Sequence, residues 1–141
     1  MKTETVIHDS QGETFKATVS EATSLMGMKR SVLVSQALAD IRDEQGLGDD
    51  KKLPNNVEIM ARLFLRRYTF PNCLACLVEA EGFSVDLTFD EFTQMPDQFV
   101  AQWEEMALSL NPHWRGRATE GEEKKEAKKK EPSKSESTES S

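Results

Sequence analysis

Beyond Trp114 the chain runs out of apolar side chains. Residues 118–141 offer only Ala118 and Ala127, with no aromatic residue, so nothing there offsets an ordering cost of about 1–2 kcal/mol per residue. Whatever core the 141 residues build must come from the part before that tail. That part is long enough for one compact domain and too short for two separate cores. The expected organisation is a domain over 1–116 and a disordered tail, rich in Lys, Glu and Ser, over 117–141. The sequence contains no internal repeat.

Charge narrows the partners. Acids and bases balance over residues 1–70, whereas Pro71 to Trp114 carries eight acids and no Lys or Arg, and the whole chain is at −7. Binding to phosphate backbones or anionic lipid depends on Lys and Arg displacing counterions, so neither nucleic acid nor membrane is an expected partner of the structured part. The apolar runs are far shorter than the ~20 residues of a membrane span. Met1-Lys2-Thr3 leads into no signal-peptide core. A cytosolic protein is expected, with Cys73 and Cys76 reduced.

The hydropathy pattern predicts a mainly α, α+β fold: a helical domain with an N-terminal β-hairpin. Glu4–His8 and Thr14–Val19 are rich in β-branched and aromatic residues and flank a turn at Gly12. Phe15, Ala17 and Val19 give the second strand one apolar face, which must lie on helices because a lone hairpin is marginal in water. Ser20 or Thr23 is placed to cap a first helix whose Leu25, Met28, Val32 and Leu38 recur at helical spacing, with Gly46 and Gly48 as its stop. Asn55 or Asn56 caps a second helix with Met60, Leu63, Phe64 and Tyr68 on a common face. Pro71 is expected to open a third, carrying Leu74, Leu77 and Val78 and ending at Gly82. Thr88-Phe-Asp-Glu91 fits a reciprocal capping box. Pro96 then opens a last helix with Phe99, Val100, Trp103, Met106, Ala107 and Leu110 on one side, ended by Asn111-Pro112.

Chemistry finds no foothold. Cys73-Leu-Ala-Cys76 has redox and half-zinc spacing, but only His8 and His113 are available as further zinc-type ligands and each stands alone. The two cysteines read as small buried hydrophobes. No nucleophile with an adjacent base appears, and the scattered carboxylates read as a solvated face. Neither a catalytic site nor a metal or cofactor is expected. The residues that invite a second reading are Phe89, Phe92, Met95, Phe99, Trp103 and Met106. They are core candidates first, yet so many in a short acidic segment also suit a groove for apolar partner helices with basic flanks.

The stretch Phe83-Ser-Val-Asp-Leu-Thr-Phe-Asp-Glu-Phe-Thr-Gln-Met-Pro-Asp-Gln-Phe-Val-Ala-Gln-Trp103, closing with Leu108-Ser-Leu-Asn-Pro-His-Trp114, resembles the C-terminal part of the tail assembly chaperones encoded upstream of the tape measure protein in siphovirus-type phages. In that family an extended capping segment leads to a helix and an Asn-Pro-His-Trp-like end. The resemblance covers mainly residues 70–114. It implies a chaperone that binds and solubilises the tape measure protein in the host cell cytoplasm, helps recruit tail tube protein and is missing from the mature virion. It also implies self-association and a longer frameshifted form, for which Lys128-Lys-Lys130 offers a place. The partner-binding residues expected on this reading are Phe89, Phe92, Met95, Phe99, Trp103, Asn111, Pro112, His113 and Trp114. The rival reading is a small acidic adaptor or inhibitor that occupies a basic protein by charge mimicry.

Overall fold

The computed structural model describes residues 1–48 and 50–115, so the tail expected over 117–141 lies outside the described residues. The chain divides into two compact units, Met1–Leu110 and Asn111–Ser141. The first is the mainly helical α+β fold with an N-terminal hairpin read from the sequence.

Strands β1 (Thr3–Ser10) and β2 (Glu13–Ser20) pair antiparallel from Thr3↔Ser20 to Ser10↔Glu13. The two turn residues, Gln11 and Gly12, both take positive φ, 51° and 84°, which matches the twist of a two-residue hairpin. Val6, Ala17 and Val19 are buried on one face. On the other, the opposed Thr5 and Thr18 hydroxyls meet at 2.8 Å.

The region after Pro71 departs from expectation. No helix runs from Pro71 to Gly82. A single helical column extends from Val57 to Ala75, made of α2 (Val57–Phe64), a π segment (Leu65–Thr69) and α3 (Phe70–Ala75). The π turn explains why Pro71 does not break it. Phe70 N–H reaches back five residues to the Leu65 carbonyl, and this wider turn absorbs a ring and a missing donor that would kink an ordinary α turn. Leu77 and Val78 then belong to a third strand, β3 (Leu77–Glu81), antiparallel to β2 in a β1-β2-β3 sheet. Gly82 does take positive φ, +87°, but it ends a strand, and a Cβ there would lie 2.6 Å from the Thr14 carbonyl oxygen. Competition from a ready strand partner outweighed helical spacing.

Helix α1 (Ser24–Glu44) is capped by Thr23, whose Oγ1 accepts from Met26 N–H at 3.2 Å. Its buried side is Ala37 and Ile41, with Met26, Leu33 and Val34 half-buried beside them. The face expected inside is the wrong one: Leu25, Met28 and Val32 are exposed. Likewise Asn56 caps α2 by accepting from Ile59 N–H at 2.9 Å, and Ile59 and Leu63 are buried while Phe64 points out.

The capping box opens α4 (Phe89–Thr93) as expected. Thr88 Oγ1 accepts from Glu91 N–H at 3.1 Å and Glu91 Oε1 accepts from Thr88 N–H at 2.8 Å. Helix α5 (Asp97–Leu110) lies against β1, β2 and α3. Buried Asn72 joins three helices: its Oδ1 accepts from Arg30 Nε at 2.7 Å and its Nδ2 donates to Glu104 Oε2 at 3.0 Å. At the opposite end of α1, Arg62 and Arg66 donate to Glu44, Asp40 and Asp90 at 2.9–3.3 Å. Both guanidinium groups also sit over the Phe89 ring, at 5.1 and 4.7 Å. Hydrogen bonding to Glu44 and then Asp90 raises the Arg62 pKa further. The Asn111–Arg115 portion of the second unit is one helical turn, α6 (Pro112–Arg115), with Trp114 N–H donating to the Asn111 carbonyl at 2.9 Å.

Candidate protein-docking surfaces

The aromatic residues nominated for partner binding form the interior. Trp103 is fully buried, with Phe83, Phe92 and Phe99 rings 5.3–5.6 Å from its own. Phe70 lies 5.3 Å from Phe89 and 5.0 Å from Phe92. Phe89, Phe92, Phe99 and Trp103 thus have almost no surface to offer a partner, and the expectation that they line an open groove is corrected. These rings pack on one another, with Val19, Leu74 and Val100 also in the buried core, and burial of ring surface there is worth more than exposure to a partner. Met95 is half-buried. In the second unit Asn111 and Trp114 are buried, whereas Pro112 and His113 are exposed. The structure therefore does not gather the nine nominated residues into a single surface.

Cys73 and Cys76 are buried free thiols, as the sequence reading has it. Burial pushes Cys73 well above the ordinary thiol range, helped by Glu104, and pushes Cys76 up to about 11. Both are protonated at neutral pH and poor nucleophiles. Among the described residues no three His, Cys, Asp or Glu side chains come together as a metal site. No described helix is long and apolar enough to cross a membrane.

The apolar surface lies elsewhere. At 100° per residue, Leu25, Met28 and Val32 fall within about 60° of one another on α1, roughly opposite Met26, Leu33, Ala37 and Ile41. They are 79%, 62% and 44% exposed. Two of the neighbouring hydroxyls turn back onto the helix: Ser31 donates to the Gly27 carbonyl at 3.2 Å and Ser35 to the Val32 carbonyl at 3.0 Å. Internal satisfaction of those hydroxyls leaves the stripe less polar than its composition suggests. A second patch on α2 joins Val57, 87% exposed, and Phe64, 52% exposed, around a shallow hollow that includes Met60 and Ala61. A third feature is a cleft of about 530 Å³ between the outer edge of β1 and α5.

The periodicity of residues 25–41 does carry the first stripe. Because α1 has apolar residues on two opposite sides, spacing alone could not rank which side faces inward. Neither a family model, nor a curated protein, nor a solved structure matches this chain.

Proposed function

We propose that the protein is a chaperone that binds apolar helical segments of a long partner, acting on the tape measure protein during phage tail assembly. The observation that carries the reading is the stripe Leu25, Met28, Val32: three large apolar side chains at i, i+3 and i+7, exposed on a capped 21-residue helix. That spacing suits a helix laid along a helix, and single exposed hydrophobes scattered at random would not produce it. The Val57 and Phe64 patch adds a second apolar contact of the same kind. The net charge of −7 supports the rest of the role. Copies bound along one aggregation-prone chain would repel their neighbours and keep the complex in solution.

On this reading the protein works in the host cytoplasm, recruits tail tube protein and leaves before the virion is complete. The test is co-expression with the tape measure protein and measurement of that partner's soluble yield. The wild type should raise it, and a Leu25→Ser, Met28→Ser, Val32→Ser variant with unchanged circular dichroism should not. A wild type that leaves the yield unaltered would sink the chaperone reading. Capture of a basic protein in its place would favour the charge-mimicking adaptor.

A further inference from the structure

We propose that a hollow at the edge of β3, on the face of the sheet turned away from α5, docks an extended basic segment of a partner protein, with a Lys or Arg head seated on Glu79. The hollow measures about 570 Å³ and is lined by all three strands and the loop after Gly82. The register puts Thr5, Thr18 and Glu79 in one row across the sheet and Ile7, Lys16 and Glu81 in the next. Side chains paired in register share a face. Val6, Ala17 and Val19 occupy the buried face, so both rows lie on the other one.

Charge selects the occupant. Lys16 Nζ and Glu81 Oε1 already pair at 3.5 Å, and the Thr5 and Thr18 hydroxyls bond one another at 2.8 Å. The Glu79 carboxylate belongs to no ion pair and no side-chain hydrogen bond among the described residues, and the chain supplies no Lys or Arg from Pro71 to Trp114. Beside it stand Val78 and Val85, both 41% exposed. Val78 is the extra residue of a bulge opposite Thr18 and Val19, an irregularity of the kind that re-aims a side chain. Apolar walls leading to one uncompensated carboxylate fit a methylene stem that ends in a cation.

The backbone at this edge requires an extended chain. In the two-residue hairpin the closing pair, Ser10 and Glu13, exchanges both hydrogen bonds, and alternation from there turns Ala17 toward β1 and Lys16 and Thr18 toward β3. Their partners Glu81 and Glu79 face β2, which leaves the N–H and C=O of Ala80 turned off the edge of the sheet. A strand added there would hydrogen-bond at Ala80 and set its next residue beside Glu79, on the face that holds the hollow. Two carboxylates on a five-residue edge repel acidic strands and deter indiscriminate pairing. A basic strand meets the same charges as attraction. The site shares no residue with the α1 stripe, so it is a second docking surface and does not rest on the chaperone reading.

The test is an NMR titration of the isotope-labelled full chain with the peptide acetyl-Val-Thr-Lys-Thr-Val-amide at millimolar concentration and physiological salt. The amides of Thr18 and of Val78 to Glu81 should shift, and Ala80 should move toward lower field as its N–H gains an acceptor. Norleucine in place of the peptide's Lys keeps the stem and removes the charge, whereas Glu79→Gln removes the carboxylate at an exposed position and should leave the melting temperature unchanged. Each should weaken binding about 2- to 5-fold, the worth of an exposed ion pair, and Asp43→Asn on α1 should not. Proline in place of both peptide threonines removes the N–H that pairs with the Ala80 carbonyl and should abolish the shift at Ala80. The inference is overturned by a peptide that moves none of Val78 to Glu81, by shifts spread evenly over the acidic surface, or by norleucine, proline or Glu79→Gln forms that bind as well. Spermidine reproducing the same shifts with equal affinity would make the hollow a site for small amines and would overturn it too.

Discussion

Replacing Trp103 by Ala decides whether the aromatic cluster is core or interface. The side chain is fully buried among Phe83, Phe92 and Phe99. Its Nε1 has no hydrogen-bond acceptor among the described residues, so the loss is one of transfer and cavity formation and not of a polar contact. Truncations of this kind cost about 3–5 kcal/mol. A unit of this size is expected to hold ~5–15 kcal/mol in all, so the variant should surrender from about a fifth to nearly all of it, a fall in melting temperature of roughly 10–25 °C. Far-ultraviolet circular dichroism against temperature and urea measures this directly. Trp103→Phe, which keeps a ring and removes an unpartnered donor, should cost distinctly less than the Ala variant. Leu25→Ser should stay within ~0.5 kcal/mol of wild type because nothing packs over that side chain. If Trp103→Ala left the urea midpoint in place while abolishing partner solubilisation, the indole would be an interface group and the assignment of this cluster to the core would be wrong.

Alkaline pH should destabilise the fold through its two cysteines. The unfolded thiols lose their protons near the ordinary value of 9.0, whereas Cys76 holds its proton to about 11 and Cys73 is raised as well. Their contribution is therefore complete below pH ~9 and falls as pH rises toward 11, and urea midpoints at pH 8 and 10.5 should converge more closely in a Cys73→Ala, Cys76→Ala variant. Gly82→Ala should cost about 2–4 kcal/mol, since its Cβ would press on the Thr14 carbonyl at an already unfavourable φ. Gly12→Ala, with open space around it, should incur only the roughly 1 kcal/mol penalty for positive φ. Thr88→Ala removes one half of the capping box and should lower stability by about 1 kcal/mol in the same melts.

The parts of the fold legible in the sequence are those whose signals are local. The hairpin turn at Gly12, the Thr88 to Glu91 box and the helix after Pro96 each have their defining residues within a few positions. Long-range competition hid the rest. Leu74, Leu77 and Val78 fit helical spacing, but Val78–Glu81 also alternates apolar and acidic residues, and only the presence of β2 selects the strand. Pro71 reads as a helix start unless a π turn precedes it, and no residue in Leu65–Thr69 announces one. The candidate surface was misplaced for a related reason. Aromatic density in an acidic segment marks residues that leave water, yet it does not say whether a core or a partner receives them. Here the core does, and the exposed stripe on α1 uses aliphatic residues that looked more ordinary.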